Sequence, residues 1–136
     1  MHIFDLEGTL SNSKHREHLV PDWDKFHELF PKDDPIVETC NLFRLLCKSS
    51  KVIIVTGMME KHRGMAEHWL NSNRLFPSAM LMRGDQDLSP SPEYKLNIIS
   101  AMQSSLDIEM VYDDREDIIS TLLINNIPAI RVNNGQ

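Results

Sequence analysis

Acidic side chains stand directly after two apolar segments that are typical of buried β-strands. Asp5 and Glu7 follow the first segment, and Asp113-Asp114 follow a later one. An aspartate at the exit of a buried strand can point into a crevice at the sheet edge, where acids from a second strand can share a cation with it. Oxygen ligands with room for water favour Mg²⁺ over zinc. These residues therefore indicate a magnesium site.

Groups that suit a phosphate stand close to the ends of other predicted elements. Thr56 offers a hydroxyl and neighbouring amides to phosphate oxygens, and Lys95 offers a positive charge. Gly8 lets the backbone turn sharply close to a ligand. With Asp5 as the attacking group, this set of side chains suits phosphoryl transfer through an aspartyl-phosphate.

Alternating strands and helices would bring these groups together. The predicted strands are Ile3–Phe4, Val52–Val55, Ala79–Met82, Ile108–Tyr112 and Ile127–Val132. The second of them is an uninterrupted β-branched run, which is typical of a strand buried on both faces. The alternation predicts an α/β fold with a doubly wound, Rossmann-like parallel sheet of five strands and helices on both faces. Ligands bind such sheets at the carboxyl ends of the strands.

Five helices are predicted between the strands. Asp22 caps the first, with Trp23, Phe26 and Phe30 along one face, where they could pack in the core or stack a base. Asp34-Pro35 begins the second, because an N-cap acceptor precedes a residue without an amide. The third and fourth are predicted around Met65 and Trp69 and around Ile98, Ile99 and Met102. The last is marked by Ile118, Ile119, Leu122 and Leu123 and ends at Asn125-Asn126.

Length and composition limit the class of protein. The 136 residues, 41% hydrophobic and 25% charged, predict a single globular domain over 1–136. The net charge of −6 argues against a general nucleic-acid coat protein but permits a local cationic pocket. No apolar run approaches the ~18–20 residues of a membrane span. The N-terminus lacks signal-peptide features, and Cys40 and Cys47 offer no disulfide framework, so we expect a cytoplasmic protein.

The ordered motifs resemble those of the haloacid dehalogenase (HAD) superfamily. They are Phe4-Asp5-Leu6-Glu7-Gly8-Thr9-Leu10, Val55-Thr56-Gly57, Lys95 and Tyr112-Asp113-Asp114. A narrower resemblance points to the phosphatase domain of polynucleotide kinase-phosphatases. It is carried by Asp22-Trp23 with Phe26, Asp34-Pro35-Ile36, Thr56-Gly57, Trp69-Leu70, Met82-Arg83 and Asp113-Asp114-Arg115. The sequence contains no Gly-x-x-x-x-Gly-Lys-Ser/Thr kinase loop.

The resemblance implies a Mg²⁺-dependent phosphomonoesterase that acts on a nucleotide or a nucleic-acid 3′-phosphate through an aspartyl-phosphate. It implies that Asp5 is the nucleophile and Glu7 the general acid/base, with the Glu7 backbone carbonyl also on the metal. The implied catalytic residues are Asp5, Glu7, Thr56 and Lys95, the substrate-binding residues are Thr56, Gly57, Arg83 and Lys95, and the metal ligands are Asp5, Glu7, Asp113 and Asp114.

Two positions depart from the family pattern. Position 7 is usually Asp, and Glu7 places its carboxyl group one methylene further out, where a displacement of ~1 Å can cost about a hundredfold in rate. Relatives often have Arg at position 58, where this chain has Met58; Arg63 or Arg83 could replace it. These departures keep a second class of function open, a catalytically weakened domain of the same fold that binds a phosphorylated ligand or a protein partner.

Ordinary structural roles are alternatives for several of these residues. The three aspartates could be loop acids or helix caps, Thr56 a cap and Lys95 a solvated lysine, and Arg83 and Arg115 could lie in surface ion pairs. The spacing of His15 and His18 invites a metal, but no third ligand follows at a usual distance.

The length between the first two strands bears on access to the site. One short helix and the helix that returns to the sheet account for most of residues 11–51. Few residues remain for a cap domain, so we predict a minimal cap or none. An open site admits a phosphorylated small molecule or a nucleic-acid end. A partner subunit could cover it, so a monomer and a homodimer both remain open.

Overall fold

A parallel five-stranded sheet forms the centre of the computed structural model, which describes residues 1–133. The strands are β1 (His2–Phe4), β2 (Ser11–Asn12), β3 (Asp34–Pro35), β4 (Val52–Met59), β5 (Met80–Arg83), β6 (Met110–Asp113) and β7 (Ala129–Arg131). The central sheet has the order β5-β4-β1-β6-β7 with every pair parallel, which confirms the predicted fold class. Strand order reverses at β1, so the carboxyl ends of β1 and β6 adjoin at the switch point.

Helices cover both faces of this sheet. They are α1 (Trp23–Glu28), α2 (Val37–Cys47), α3 (Arg63–Ser72), α4 (Ser91–Gln103) and α5 (Glu116–Ile124). Phe43 of α2 and Trp69 of α3 belong to one buried cluster with Phe4. Ile99 of α4 and Ile118 of α5 belong to a second cluster around Ile3. Adjacent residues of β1 thus point to opposite faces, as the period of a strand requires.

The predicted helix start at Asp34-Pro35 is wrong. These residues form β3, which pairs antiparallel with β2, and α2 begins only at Val37. The Ile36 amide donates to the Leu10 carbonyl at 2.8 Å, so the chain is tied to the turn after β1 before the helix begins. Proline is tolerated in a short edge pairing, and here that tertiary contact overrides the capping pattern. Phe30 is also outside α1, in a separate 3₁₀ helix, Phe30–Lys32.

A small insert, residues 11–35, projects from the sheet between β1 and α2. It contains β2, a 3₁₀ helix (Lys14–Leu19), α1, the second 3₁₀ helix and β3. This is the extent of the cap between the first two central strands, in agreement with the minimal cap predicted. In the described part of the chain, no helix is long and apolar enough to cross a membrane. The single domain over 1–136 stays a prediction, and its last three residues lie outside the described part.

Candidate active site

The strand ends at the switch point bring Asp5, Lys95 and Asp113 together. Asp5 directly follows β1, Asp113 ends β6, and Lys95 projects from the second turn of α4. The Lys95 ammonium lies 2.7 Å from Asp5 Oδ1 and donates to Asp113 Oδ2 at 2.5 Å. All three side chains are buried. The buried lysine is thus an ion-pair partner of both acids and not a solvated side chain.

Asp114 completes an acidic cluster at this edge. Asp5, Asp113 and Asp114 each offer a carboxylate oxygen, and these oxygens lie within 4.8 Å of one another. The Thr9 hydroxyl contacts Asp5 Oδ2 at 3.2 Å and Asp114 Oδ1 at 3.4 Å. Gly8 has φ +83°, and a Cβ at this position would collide with the Asp114 carboxylate. A glycine is therefore required for the turn to pass beside the acids.

The electrostatics of the cluster favour a bound cation. Burial, and next the charge of Asp113, raise the pKa of Asp5 well above its ordinary value, although Lys95 opposes the shift. Burial and the same neighbour raise the pKa of Asp114 to about 6. Burial alone would lower the pKa of Lys95, but Asp113 and Asp5 outweigh it and raise that pKa. Three carboxylates face one ammonium, and hard oxygen donors of this kind fit Mg²⁺.

Thr56 lies inside β4, which extends four residues beyond the predicted strand. The pairing of β4 with β5 shifts register between Thr56 and Met59, so Thr56-Gly57-Met58 forms a local irregularity. The Thr56 hydroxyl oxygen accepts from the Met58 amide at 3.1 Å, and its own proton can then be directed to a phosphate oxygen. Thr56 and Gly57 both line the cavity that contains Asp5.

The two arginines considered as replacements at position 58 have other contacts. Met58 itself is fully buried in the core. Arg63 pairs with Glu60 and lines a separate surface recess. Arg83 lines the cavity, but its guanidinium donates to the Gly57 carbonyl at 3.0 Å and the Ser89 carbonyl at 2.7 Å. Its phosphate-binding role stays a prediction, while its observed contact fixes the turn at Gly57.

The Glu7 carboxylate is held by residues of the insert. Glu7 Oε2 accepts from Arg16 Nη1 at 2.6 Å and from His27 Nδ1 at 3.1 Å. Arg16 is fully buried, donates twice to Asp33 at 2.8 and 2.5 Å and donates to the Phe26 carbonyl at 2.7 Å. Burial alone would raise the pKa of Glu7, but His27 and then Arg16 lower it below its ordinary value.

The sequence pattern does not indicate Arg16, His27 or Asp33 as site residues. Arg16 lies in a polar stretch without periodicity, and nothing in a single sequence shows that it is buried. One signal was available, since an acid predicted to line a buried crevice needs a nearby basic partner. His15, whose spacing from His18 invites a metal, instead donates to Asp33 Oδ1 at 2.6 Å.

A cavity of about 630 Å³ joins the two parts of the site. Asp5, Glu7, Thr56, Lys95 and Asp114 all line it. With Gly57 and Arg83, seven of the eight predicted site residues line this cavity. Asp113, the eighth, is fully buried and accepts from Lys95. The arrangement combines a buried carboxylate, the hydroxyl of Thr56 and the ammonium of Lys95, and a second carboxyl group fixed by a separate network.

The sequence matches the model of one protein family over residues 1–136, described as the polynucleotide kinase PNKP phosphatase domain. No curated protein is similar enough in sequence to count as a match.

Solved structures share the fold. A chain of the Pnkp1/Rnl/Hen1 complex superposes with a TM-score of 0.84 at 22% identity, over 99% of this chain and 46% of that one. A chain of the Pnkp1/Rnl/Hen1 RNA repair complex gives 0.84 at 21%, over 96% and 41%. A proposed beta-phosphoglucomutase from Thermotoga maritima gives 0.62 at 15%, over 99% and 88%. The chain spans less than half the length of the first two chains.

Proposed function

Since the chain belongs to the family of polynucleotide kinase PNKP phosphatase domains, a phosphatase family of the HAD superfamily, we propose that it hydrolyses a phosphomonoester. The substrate is a nucleotide or a nucleic-acid 3′ end. The reaction uses Mg²⁺ and passes through an aspartyl-phosphate on Asp5. The observation that carries this proposal is the contact of Asp5 with Lys95 beside Asp113 and Asp114, in one cavity with Thr56 and Glu7.

The first step forms a bond between a carboxylate oxygen of Asp5 and phosphorus while the bond from phosphorus to the ester oxygen breaks. Lys95 and the Thr56 hydroxyl bind the phosphoryl oxygens and counter their charge. Mg²⁺ held by Asp5, Asp113, Asp114 and the Glu7 carbonyl would supply further positive charge there. Glu7 gives its proton to the departing oxygen, so the alcohol leaves neutral.

The second step returns Asp5 to its initial state. Glu7, now ionised, accepts a proton from water as the water oxygen bonds to phosphorus, and the acyl-phosphate bond breaks to release inorganic phosphate. Because His27 and Arg16 lower the pKa of Glu7, its ionised form dominates at neutral pH and suits this step. The first step needs the protonated form and is therefore favoured by acidification.

The contacts of Glu7 favour turnover over the weakened-domain alternative. The longer side chain reaches two donors of the insert, so its carboxyl group has a fixed position. The likeness to a chain of the RNA repair complex supports RNA 3′-phosphates as one substrate class to test. Location in the cytoplasm and the monomeric or dimeric state stay predictions.

A substrate panel tests the proposal. Nucleoside 3′- and 5′-monophosphates, 3′-phosphorylated oligonucleotides and 4-nitrophenyl phosphate should release phosphate with Mg²⁺ and not with EDTA. Asp5→Asn should abolish release, and Asp107→Asn, at an exposed loop acid, should leave it unchanged. Full activity in EDTA, or in Asp5→Asn, would contradict the proposed site.

A further inference from the structure

Trp23 is a large aromatic side chain on the wall of the candidate active site. It is 47% exposed, whereas Phe26, one turn along α1, is 7% exposed. Both side chains line the cavity that contains Asp5 and Glu7. Of the aromatic residues predicted to share one face, Phe26 is thus mostly buried, whereas the Trp23 side chain is accessible from the cavity.

The indole ring is held in place by its neighbours. Its centroid lies 5.5 Å from the Phe26 ring in an edge-to-face contact and 6.1 Å from the His27 ring, nearly parallel to it. His27 is itself buried and bonded to Glu7. A supported ring loses little conformational freedom on binding, which makes an exposed aromatic side chain an effective stacking surface.

The position of Trp23 corresponds to the leaving-group side of the reaction. Glu7 must lie beside the ester oxygen that it protonates, and that oxygen belongs to the sugar of the substrate. Trp23 is connected to Glu7 through one residue, His27, with contacts of 6.1 Å and 3.1 Å. A nucleoside attached to the ester oxygen would meet Trp23 if it extended from Glu7 toward the insert.

The cavity has room for more than a phosphate. Its volume of about 630 Å³ is within the range of roughly 300–1,000 Å³ typical of sites for small organic ligands. Val20, on the insert, and Leu88, before α4, also line it, at 42% and 91% exposure. An apolar surface of this kind, next to a phosphate site, suits the flat face of a nucleobase.

We propose that Trp23 stacks on the nucleobase of the nucleotide whose phosphate is removed, and so makes the site selective for nucleotides over sugar phosphates. This inference rests on the proposed function, since it needs a phosphomonoester at Asp5. Stacking of a base on an aromatic side chain is sequence-tolerant, because every base has a π-face. The subsite therefore selects for the presence of a base and little for its identity.

The test compares two substrates that differ only in the base. These are adenosine 3′-monophosphate and an abasic ribose 3′-phosphate, each assayed with wild type, Trp23→Ala and Trp23→Phe. We expect Trp23→Ala to raise KM for the nucleotide about tenfold with a smaller change in kcat, and to alter the abasic substrate much less. Trp23→Phe should restore most of the difference. Phe76→Ala removes an aromatic side chain of 65% exposure that lines a different recess, and it should change neither substrate.

The outcomes separate this inference from the proposed function. Equal losses on both substrates, or no loss on either, would overturn the stacking role while the phosphatase proposal stands. If wild type hydrolyses neither substrate, the proposed function fails and the subsite with it.

A binding measurement gives a second readout that does not depend on turnover. In Asp5→Asn, adenosine 3′-monophosphate should quench the emission of exposed Trp23, while Trp69, 4% exposed, gives a constant background. Trp23→Phe in the same protein should remove the quenching. Nucleotide binding measured by equilibrium dialysis without any change in Trp23 emission would overturn the proposal.

Discussion

The two halves of the candidate site differ in their balance of charge. At the sheet edge, Asp5, Asp113 and Asp114 face the single ammonium of Lys95, and the pKa values of Asp5 and Asp114 are raised. At the insert, Asp33 and the preceding Glu7 share the guanidinium of Arg16 with further donors from histidines, and the pKa of Glu7 is lowered.

This difference suits the separate tasks that the proposed mechanism gives to the two halves. Excess negative charge at the sheet edge favours cation binding beside Asp5, the attacking group in the proposed mechanism. The balanced network beside the insert fixes the carboxyl group of Glu7, which transfers the proton in the proposed mechanism. Charge imbalance therefore indicates where a ligand completes the site, and charge balance indicates where the protein completes it by itself.

Removing the centre of the balanced network should have the largest effect. Arg16→Ala leaves the buried carboxylates of Asp33 and Glu7 without their guanidinium, and we expect a loss of about 3–5 kcal/mol in the free energy of unfolding. Urea denaturation measures it. Arg115→Ala, which removes an exposed ion pair with Asp117, should cost at most ~1 kcal/mol. Similar costs for the two variants would mean that the network is not a stabilising unit.

Shortening Glu7 tests whether the insert is adapted to glutamate. In Glu7→Asp the carboxyl group moves away from Arg16 and His27, so we expect single-turnover hydrolysis of a nucleoside 3′-monophosphate to slow by about a hundredfold. Loss on 4-nitrophenyl phosphate should be smaller, because nitrophenolate leaves without a proton. Faster turnover of the nucleotide by Glu7→Asp would show that the network holds Glu7 in a defective position.

Neutralising an acid at the sheet edge should have a smaller effect, of opposite sign. Asp114 has a pKa of about 6 in the fold against 3.8 ordinarily, so its ionisation destabilises the metal-free protein as pH rises from about 4 to about 6. Asp114→Asn should therefore stabilise the protein at pH 7 in EDTA by roughly 1–3 kcal/mol and not at pH 4. Glu7→Gln should destabilise it at pH 7, since the pKa of Glu7 is lowered. Destabilisation by Asp114→Asn in EDTA at pH 7 would contradict the charge imbalance.

The sheet edge was predictable from the sequence, whereas the insert was not. A β-branched run such as Val52–Val55 and acids directly after apolar segments place Asp5, Asp113 and Asp114 at one edge, because parallel strands align their carboxyl ends. The contacts of Glu7 depend on how a polar segment folds back on the sheet. Tertiary contacts decide how that segment folds. They also decide the start of α2, because the Leu10 carbonyl accepts from the Ile36 amide and the residues expected to begin the helix form β3 instead.

Chemical trapping can detect whether Asp5 carries the phosphoryl group as a covalent intermediate. In Glu7→Gln, 4-nitrophenyl phosphate should still phosphorylate Asp5, but water attack should be slow, so nitrophenolate appears in a burst of about one equivalent. Borohydride added during the burst reduces an aspartyl-phosphate to homoserine. We predict homoserine at position 5 by mass spectrometry, and neither burst nor homoserine once Asp5→Asn is added. Phosphate release without a burst, or homoserine at position 113 or 114 in place of 5, would contradict the assignment of Asp5.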